Sequence, residues 1–273
     1  CRFAIVRGEA ALRSNPDAGT IRRGVAISPW TGETIPGEYI KREAQAGRMG
    51  SQLYAVGVKT ASGTEFRPPS EADLSAVAAA EAELARRLPD WLARGIIPDE
   101  EIPLGNKTAE PHRYGMTRWR DLFAPRQLLA LGTCIEALHE LAPEIDRALP
   151  PDQARAVLTY LAFAIDKLMN YNSRMSVWHP LRATLANTFD RHDFSMKWSH
   201  GEMAIPGDGW EWAIDQVVDA YAGIARLAEP ARLPLLESAS PSPVTRLQIT
   251  QGDAAGLRHI PTGSVHLVCV DPP

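Results

Sequence analysis

The sequence predicts an α/β chain with a partial parallel sheet at its C-terminal end, a large, mainly helical middle and a small β-rich start. Three observations carry that expectation. Residues 244–250, VTRLQIT, alternate as a strand does, while 264–270, SVHLVCV, form the almost unbroken apolar run of a central strand covered on both faces. The dozen or so residues between them suffice for a parallel crossover. Between 70 and 227, apolar residues recur at helical spacing in stretches punctuated by prolines.

Taken in order, residues 1–67 are rich in glycine and β-branched side chains. LYAVGVKT (53–60) followed by ASG (61–63) reads as a strand and its turn. The region 68–230 is expected to be helical. After Pro68-Pro69, Ser70 and Asp73 have capping-box spacing, and Leu74, Val77, Leu84 and Leu88 mark a helix that should stop near Pro89. A connector over 95–124 precedes a second helix, with Pro125 in its first turn and Leu128, Leu131, Ile135 and Leu138 as its buried stripe. The helix from Pro151 is apolar on most faces and is expected at the centre of a bundle. Residues 172–209 have no period and are rich in Trp, His and Arg, as loops that carry function or dock against a partner are. A further helix is expected over 210–227, a connector over 231–243 and the sheet over 244–273.

At 273 residues, 45% hydrophobic and 23% charged, the composition is that of a soluble globular protein. Cys1, Cys134 and Cys269 are too scattered for metal knuckles or a disulfide framework, which predicts a reducing, cytoplasmic setting. Cys1 reads as a cut-site residue, and Cys134 and Cys269 as buried small hydrophobes. No run is long and apolar enough for a membrane span, so no membrane association is expected. The oligomeric state is not legible.

A net charge of −4 argues against a wholly basic surface, leaving local charge as the useful quantity. From 111 to 127, Arg113, Arg118, Arg120 and Arg126 stand against Asp121, with Tyr114, Trp119 and Phe123 interleaved. Arg118, Trp119 and Arg120 are the candidate nucleic-acid contacts; the competing reading buries the aromatics and pairs the arginines with acids elsewhere. His192, Trp198, His200 and Glu202 lack a ligand spacing and are expected to pack and hydrogen-bond. No metal site is expected, and Ser28 and Thr31 in SPWTG (28–32) are not credible zinc ligands.

Chemistry is concentrated at the end of the chain. In open α/β sheets ligands bind beyond the carboxyl ends of strands, where Asp253 and Asp271 are both expected. Pro272 and Pro273 donate no N–H, so the motif offers acceptors: the Asp271 carboxylate and the Pro272 carbonyl. Such a pair can take both hydrogens of a base amino group and localise its lone pair. The plainer alternatives are a strand-end acid opening a turn for Asp271 and a helix N-cap for Asp253.

GDA (252–254) with SVHLVCVDPP (264–273) resembles the motif pair of amino-group DNA methyltransferases. Upstream, GTIRRGVAISPWTGETIPGEYIKREAQAGRMGSQLYAV, YGMTRWRDLFAPRQLLAL and NTFDRHDFSMKW resemble segments of a family of adenine-specific DNA methylases. Members carry an N-terminal domain of unknown function and, in many cases, a zinc ribbon, degenerate here. The resemblance implies a Rossmann-like methyltransferase sheet, S-adenosylmethionine as cofactor and DNA as partner. It also implies a catalytic loop at Asp271, Pro272 and Pro273, and a cofactor contact at Asp253. The family's Phe-x-Gly-x-Gly loop is absent from these residues. With a start at Cys1 and an end in mid-motif, that absence leads to the expectation of an inactive fragment of a longer enzyme. The expected activity is adenine N6 methylation, cytosine N4 remaining open. The alternative is a non-catalytic nucleic-acid or partner-binding helical module attached to a methylase-like sheet.

Overall fold

Tight hairpins organise the start of the chain. The computed structural model describes residues 3–15, 18–190, 194–228, 252, 256–257 and 260–269. A short helix, α1 (Glu9–Arg13), precedes β1 (Ile21–Arg22) and β2 (Val25–Ile27), which pair antiparallel with Arg22 opposite Val25. The connecting Arg23 and Gly24 have φ of 51° and 77°, the two positive angles of a type I′ turn. β3 (Thr34–Ile35) completes a sheet ordered β1-β2-β3, and β4 (Val56–Thr60) and β5 (Gly63–Arg67) form a separate hairpin around the anticipated turn. The expectation of a mostly β region missed α2 (Gly37–Gln45), whose Ile40 and Ala44, four residues apart, face the core.

Local chemistry fixes the next helix, α3 (Glu71–Ala93). Its capping box is complete: Asp73 N–H donates to Ser70 Oγ at 3.3 Å, and Ser70 N–H donates to Asp73 Oδ2 at 2.7 Å. Arg67 grips the same carboxylate at 2.5 and 2.9 Å. The helix runs past Pro89, beyond the expected stop, because burial outweighs the missing hydrogen bond. Trp91, two residues on, is 1% exposed, and its Nε1 donates to Glu136 at 3.1 Å.

Glu136 belongs to α5 (Pro125–Ala148), after α4 (Ala109–Arg113) and a 3₁₀ turn at Trp119–Leu122. Pro125 occupies the first turn as expected, and Leu128 and Leu131 are buried. Gly132 lets α3 and α5 close on each other: a Cβ there would lie 2.4 Å from Cζ3 of Trp91.

α6 (Pro151–Asn170) packs on α5, but it is not the bundle centre expected of it. Ala164, Ile165 and Leu168 are buried, whereas Val157 and Phe163 are 37% and 52% exposed. The central position belongs to α5, which meets α3 through Leu128 and α6 through Leu131. Beyond α6 come a short hairpin, β6 (Val177–His179) and β7 (Thr184–Ala186), and then α7 (Asp208–Ala228).

The chain divides into two units, Cys1–Tyr221 and Ala222–Pro273. In the first, residues on both sides of position 67 share one core, with Ala44 and Ile40 meeting Ile102, Tyr114, Met116 and Met175. In the second, the end of α7, a bond from Ile260 N–H to Leu257 O and the turn 261–264 are described. The anticipated strand SVHLVCV is not formed over its described part, 264–269; Leu267 and Val268 are 84% and 73% exposed. An apolar run becomes a buried strand only with neighbours on its edges and cover on its faces, and among the described residues these are lacking. The described fold is therefore mixed α and β, with small antiparallel sheets and no parallel one. No described helix is long and apolar enough to cross a membrane.

Candidate functional site

Small polar side chains are rarely fully buried unless they build something. Immediately after α6, Asn172, Ser173 and Ser176 are 1%, 0% and 0% exposed. Asn172 Nδ2 donates to Leu168 O at 2.9 Å, and its Oδ1 accepts from Met203 N–H at 3.0 Å. Ser173 Oγ accepts from Met175 N–H at 2.9 Å and lies 2.8 Å from Thr188 Oγ1. Ser176 Oγ is 2.7 Å from Gly201 O, while Gly201 N–H returns a bond to Ser176 O at 2.9 Å. These bonds satisfy a loop backbone that helix and sheet do not.

Arg174 stands in the middle of this knot. Its own N–H donates to Leu122 O at 2.7 Å, fixing the root of the side chain. The side chain lines a groove of about 290 Å³ whose walls include Tyr114, Gly115, Arg120, Asp121 and Phe123. One wall depends on glycine. Gly115 has φ 77°, and a Cβ there would sit 2.6 Å from Ala44 O, so α2 can approach only where no side chain intervenes.

The charges around the groove are unevenly paired. Arg118 bonds to the Asp99 carbonyl and lies 3.2 Å from its carboxylate and 3.5 Å from Glu101. Arg120 is ion-paired with the same Asp99, and Arg126 bonds Glu202 at 2.5 Å. Asp121 Oδ2 is engaged by the N–H groups of Thr117 and Arg118 at 2.9 and 2.8 Å. Among the described residues, the Arg174 guanidinium has neither a hydrogen-bond nor an ion-pair partner. Burial pushes its pKa below the ordinary arginine value, with Asp121 opposing and Arg126 adding to the fall; an arginine nevertheless stays charged.

His200 and Glu202 are close by. Burial depresses the His200 imidazole against the raising effect of Glu202, and Arg126 and Arg174 depress it further. Its Nε2 and Glu202 Oε2 are buried without a partner.

The three predicted nucleic-acid contacts can now be placed. Arg118 and Arg120 engage acids, and Trp119 packs edge-on to Phe194 at 5.7 Å, so the described geometry is that of the competing, packing reading. Tyr114 is likewise buried and meets Trp198 edge-on at 5.6 Å. Asp253, Asp271, Pro272, Pro273 and His192 lie outside the described residues. Among those described there is no open parallel sheet whose strand ends could seat S-adenosylmethionine. Ser28 Oγ accepts from the N–H groups of Trp30 and Thr31 at 3.3 and 3.1 Å, a turn closed on its own backbone.

Cys134 is half-buried and its thiol pKa is raised by that burial; Cys269, expected inside, is exposed, since the strand that would have buried it is not formed. Arg174 was not singled out by sequence reasoning. The available signal was NSRMS itself, small polar residues directly after an apolar helix. Searches against protein-family models, curated proteins and solved structures find no match for this chain.

Proposed function

We propose that this chain belongs to an S-adenosylmethionine-dependent DNA methyltransferase that modifies a base amino group, adenine N6 before cytosine N4, in a cytoplasmic setting. One observation carries the reading. The three upstream segments that resemble adenine-specific methylases are far apart in sequence, yet they converge on a single apolar core. Ile40, Ala44 and Met49 come from the first, Tyr114, Met116 and Leu122 from the second, and Phe194 and Met196 from the third. A fold shared with that family requires such convergence.

The methyl donor is implied by the resemblance alone, so the chemistry assigned to this chain is that of its own acceptors. A base amino nitrogen is a poor nucleophile because its lone pair is delocalised into the ring. With the base flipped from its stack, the Asp271 carboxylate and the Pro272 carbonyl would accept its two hydrogens and localise that pair. Fixed acceptors also stabilise positive charge developing on the nitrogen.

A second reading has its own support. The unit Cys1–Tyr221 holds apolar cores of its own, as a non-catalytic nucleic-acid or partner-binding module would. The full-length gene product, incubated with labelled S-adenosylmethionine and duplex DNA, separates the two. The enzyme reading expects label in N6-methyladenine, and expects Asp271→Ala to lose about 3 kcal/mol of transition-state stabilisation, roughly 10²-fold in rate, with DNA affinity retained. DNA binding with no label in any base would reject the enzyme and favour the module.

A further inference from the structure

We propose that the groove at Arg174 is a phosphate-binding site, and that it takes a backbone phosphate of the nucleic acid. The phosphate chemistry stands on the geometry; its source in nucleic acid rests on the function proposed above. The other arginines of this neighbourhood are committed, Arg118 and Arg120 to Asp99 and Arg126 to Glu202. Arg174 alone among them, part-buried at the groove, has no anion in contact. A part-buried charge gains from a partner, and Asp121, whose charge opposes the fall in the Arg174 pKa, spends one carboxylate oxygen on backbone N–H groups. An anion entering the groove that Arg174 lines would supply the partner the guanidinium lacks.

Size and stiffness both suit such a ligand. At about 290 Å³ the groove has ample room for a single phosphate group. A guanidinium meets a phosphate with two parallel N–H donors, a match a lysine ammonium cannot make. The loop that carries it is already held by Asn172, Ser173, Ser176 and Leu122, so little ordering entropy is lost when an anion arrives.

The test titrates the chain with a fluorescein-labelled 20-base-pair duplex at several salt concentrations and, separately, with inorganic phosphate followed by amide chemical shifts. Wild type is compared with Arg174→Ala, Arg174→Gln and Arg174→Lys, each checked for folding by circular dichroism. The neutral variants should weaken duplex binding by about tenfold and reduce the log K against log [salt] slope by about one, with phosphate binding lost. Arg174→Lys should keep the slope and lose part of the affinity. A chain that binds duplex with affinity and slope unaffected by either neutral variant overturns the site and leaves the nucleic-acid reading intact. Phosphate binding that depends on Arg174, in a chain that ignores DNA, upholds the phosphate site and removes the nucleic acid as its source. If neither probe binds wild type, both fall.

Discussion

Replacing Gly132 by alanine should destabilise the chain although it improves the intrinsic propensity of a helix. The added Cβ would lie 2.4, 2.8 and 3.0 Å from three carbons of the Trp91 ring. Ordinary contact begins at 3.4 Å, so the ring must retreat by 1.0 Å, the difference between 3.4 and 2.4. Trp91 is 1% exposed and tethered through Nε1 to Glu136, so it has little room to retreat and gives up its hydrogen bond if it does. Overpacking of this kind costs about 1–3 kcal/mol, and a displacement this large belongs at the upper end. Against it stands about 1 kcal/mol gained on leaving glycine in a helix interior. The net expectation is a loss of about 2 kcal/mol, or roughly 4–8 °C in Tm for a chain of this size. Urea unfolding followed by tryptophan fluorescence and by circular dichroism measures it, with an unchanged m-value as the check that only stability moved. In a Trp91→Leu background the same substitution should cost nothing, because the clashing ring is gone. Gly132→Ala as stable as wild type, or stabilised by the propensity gain, would refute the close contact between α3 and α5.

Two further outcomes follow from the same structure. Gly115→Ala forces a positive φ on alanine and drives a Cβ against the Ala44 carbonyl, so α2 must separate from the groove wall; a lowered urea midpoint and faster proteolysis within 37–45 are expected, and an unchanged midpoint would count against that contact. Acidification should destabilise the chain in two windows. The His200 pKa is depressed in the fold, so the unfolded chain binds the proton first and stability falls as pH drops below about 6.5. Asp73, held well below the usual carboxylate range first by Arg67 and then by Ser70, and Glu83, pushed down to about 2 by Arg86 and Arg87, contribute above the ordinary carboxylate range. That contribution is lost as pH falls through their folded values. Tm measured from pH 7.5 to 2 should decline through the upper window and across the lower one, with His200→Gln flattening the upper and Asp73→Asn the lower.

The elements legible in the sequence are those whose cause is local. Ser70 with Asp73, and the prolines at 125 and 151, mark helix starts by chemistry confined to one turn, and they stand where expected. Pro89 misled because the burial of Trp91 against α5, more than forty residues away in sequence, outweighs a local helix breaker. The strands β6 and β7 are too short to show alternation, and their pairing depends on contacts no sequence window contains. Residues 264–269 read as a strand from apolarity alone, but apolarity specifies a wish for burial and not the neighbours that grant it. For the candidate site, the aromatic and basic character around 118–120 was visible, whereas the pairing of both arginines with Asp99 was not. Arg174 was hidden for the opposite reason: what distinguishes it is the partner it lacks, and a sequence records residues rather than vacancies between them.

The buried Asn-Ser knot also has a signature in time. Loop amides usually exchange with solvent deuterium as fast as local fluctuations expose them, because little holds them closed. Here Met175 N–H is bound to Ser173 Oγ, Arg174 N–H to Leu122 O, Gly201 N–H to Ser176 O and Met203 N–H to Asn172 Oδ1, each tie reaching a side chain or a distant strand of backbone. Opening any one of them means disturbing the others. These irregular segments should therefore exchange on the timescale of the surrounding helices, and a deuterium-uptake map of the chain would show a slow island in a region that secondary structure alone would mark as fast.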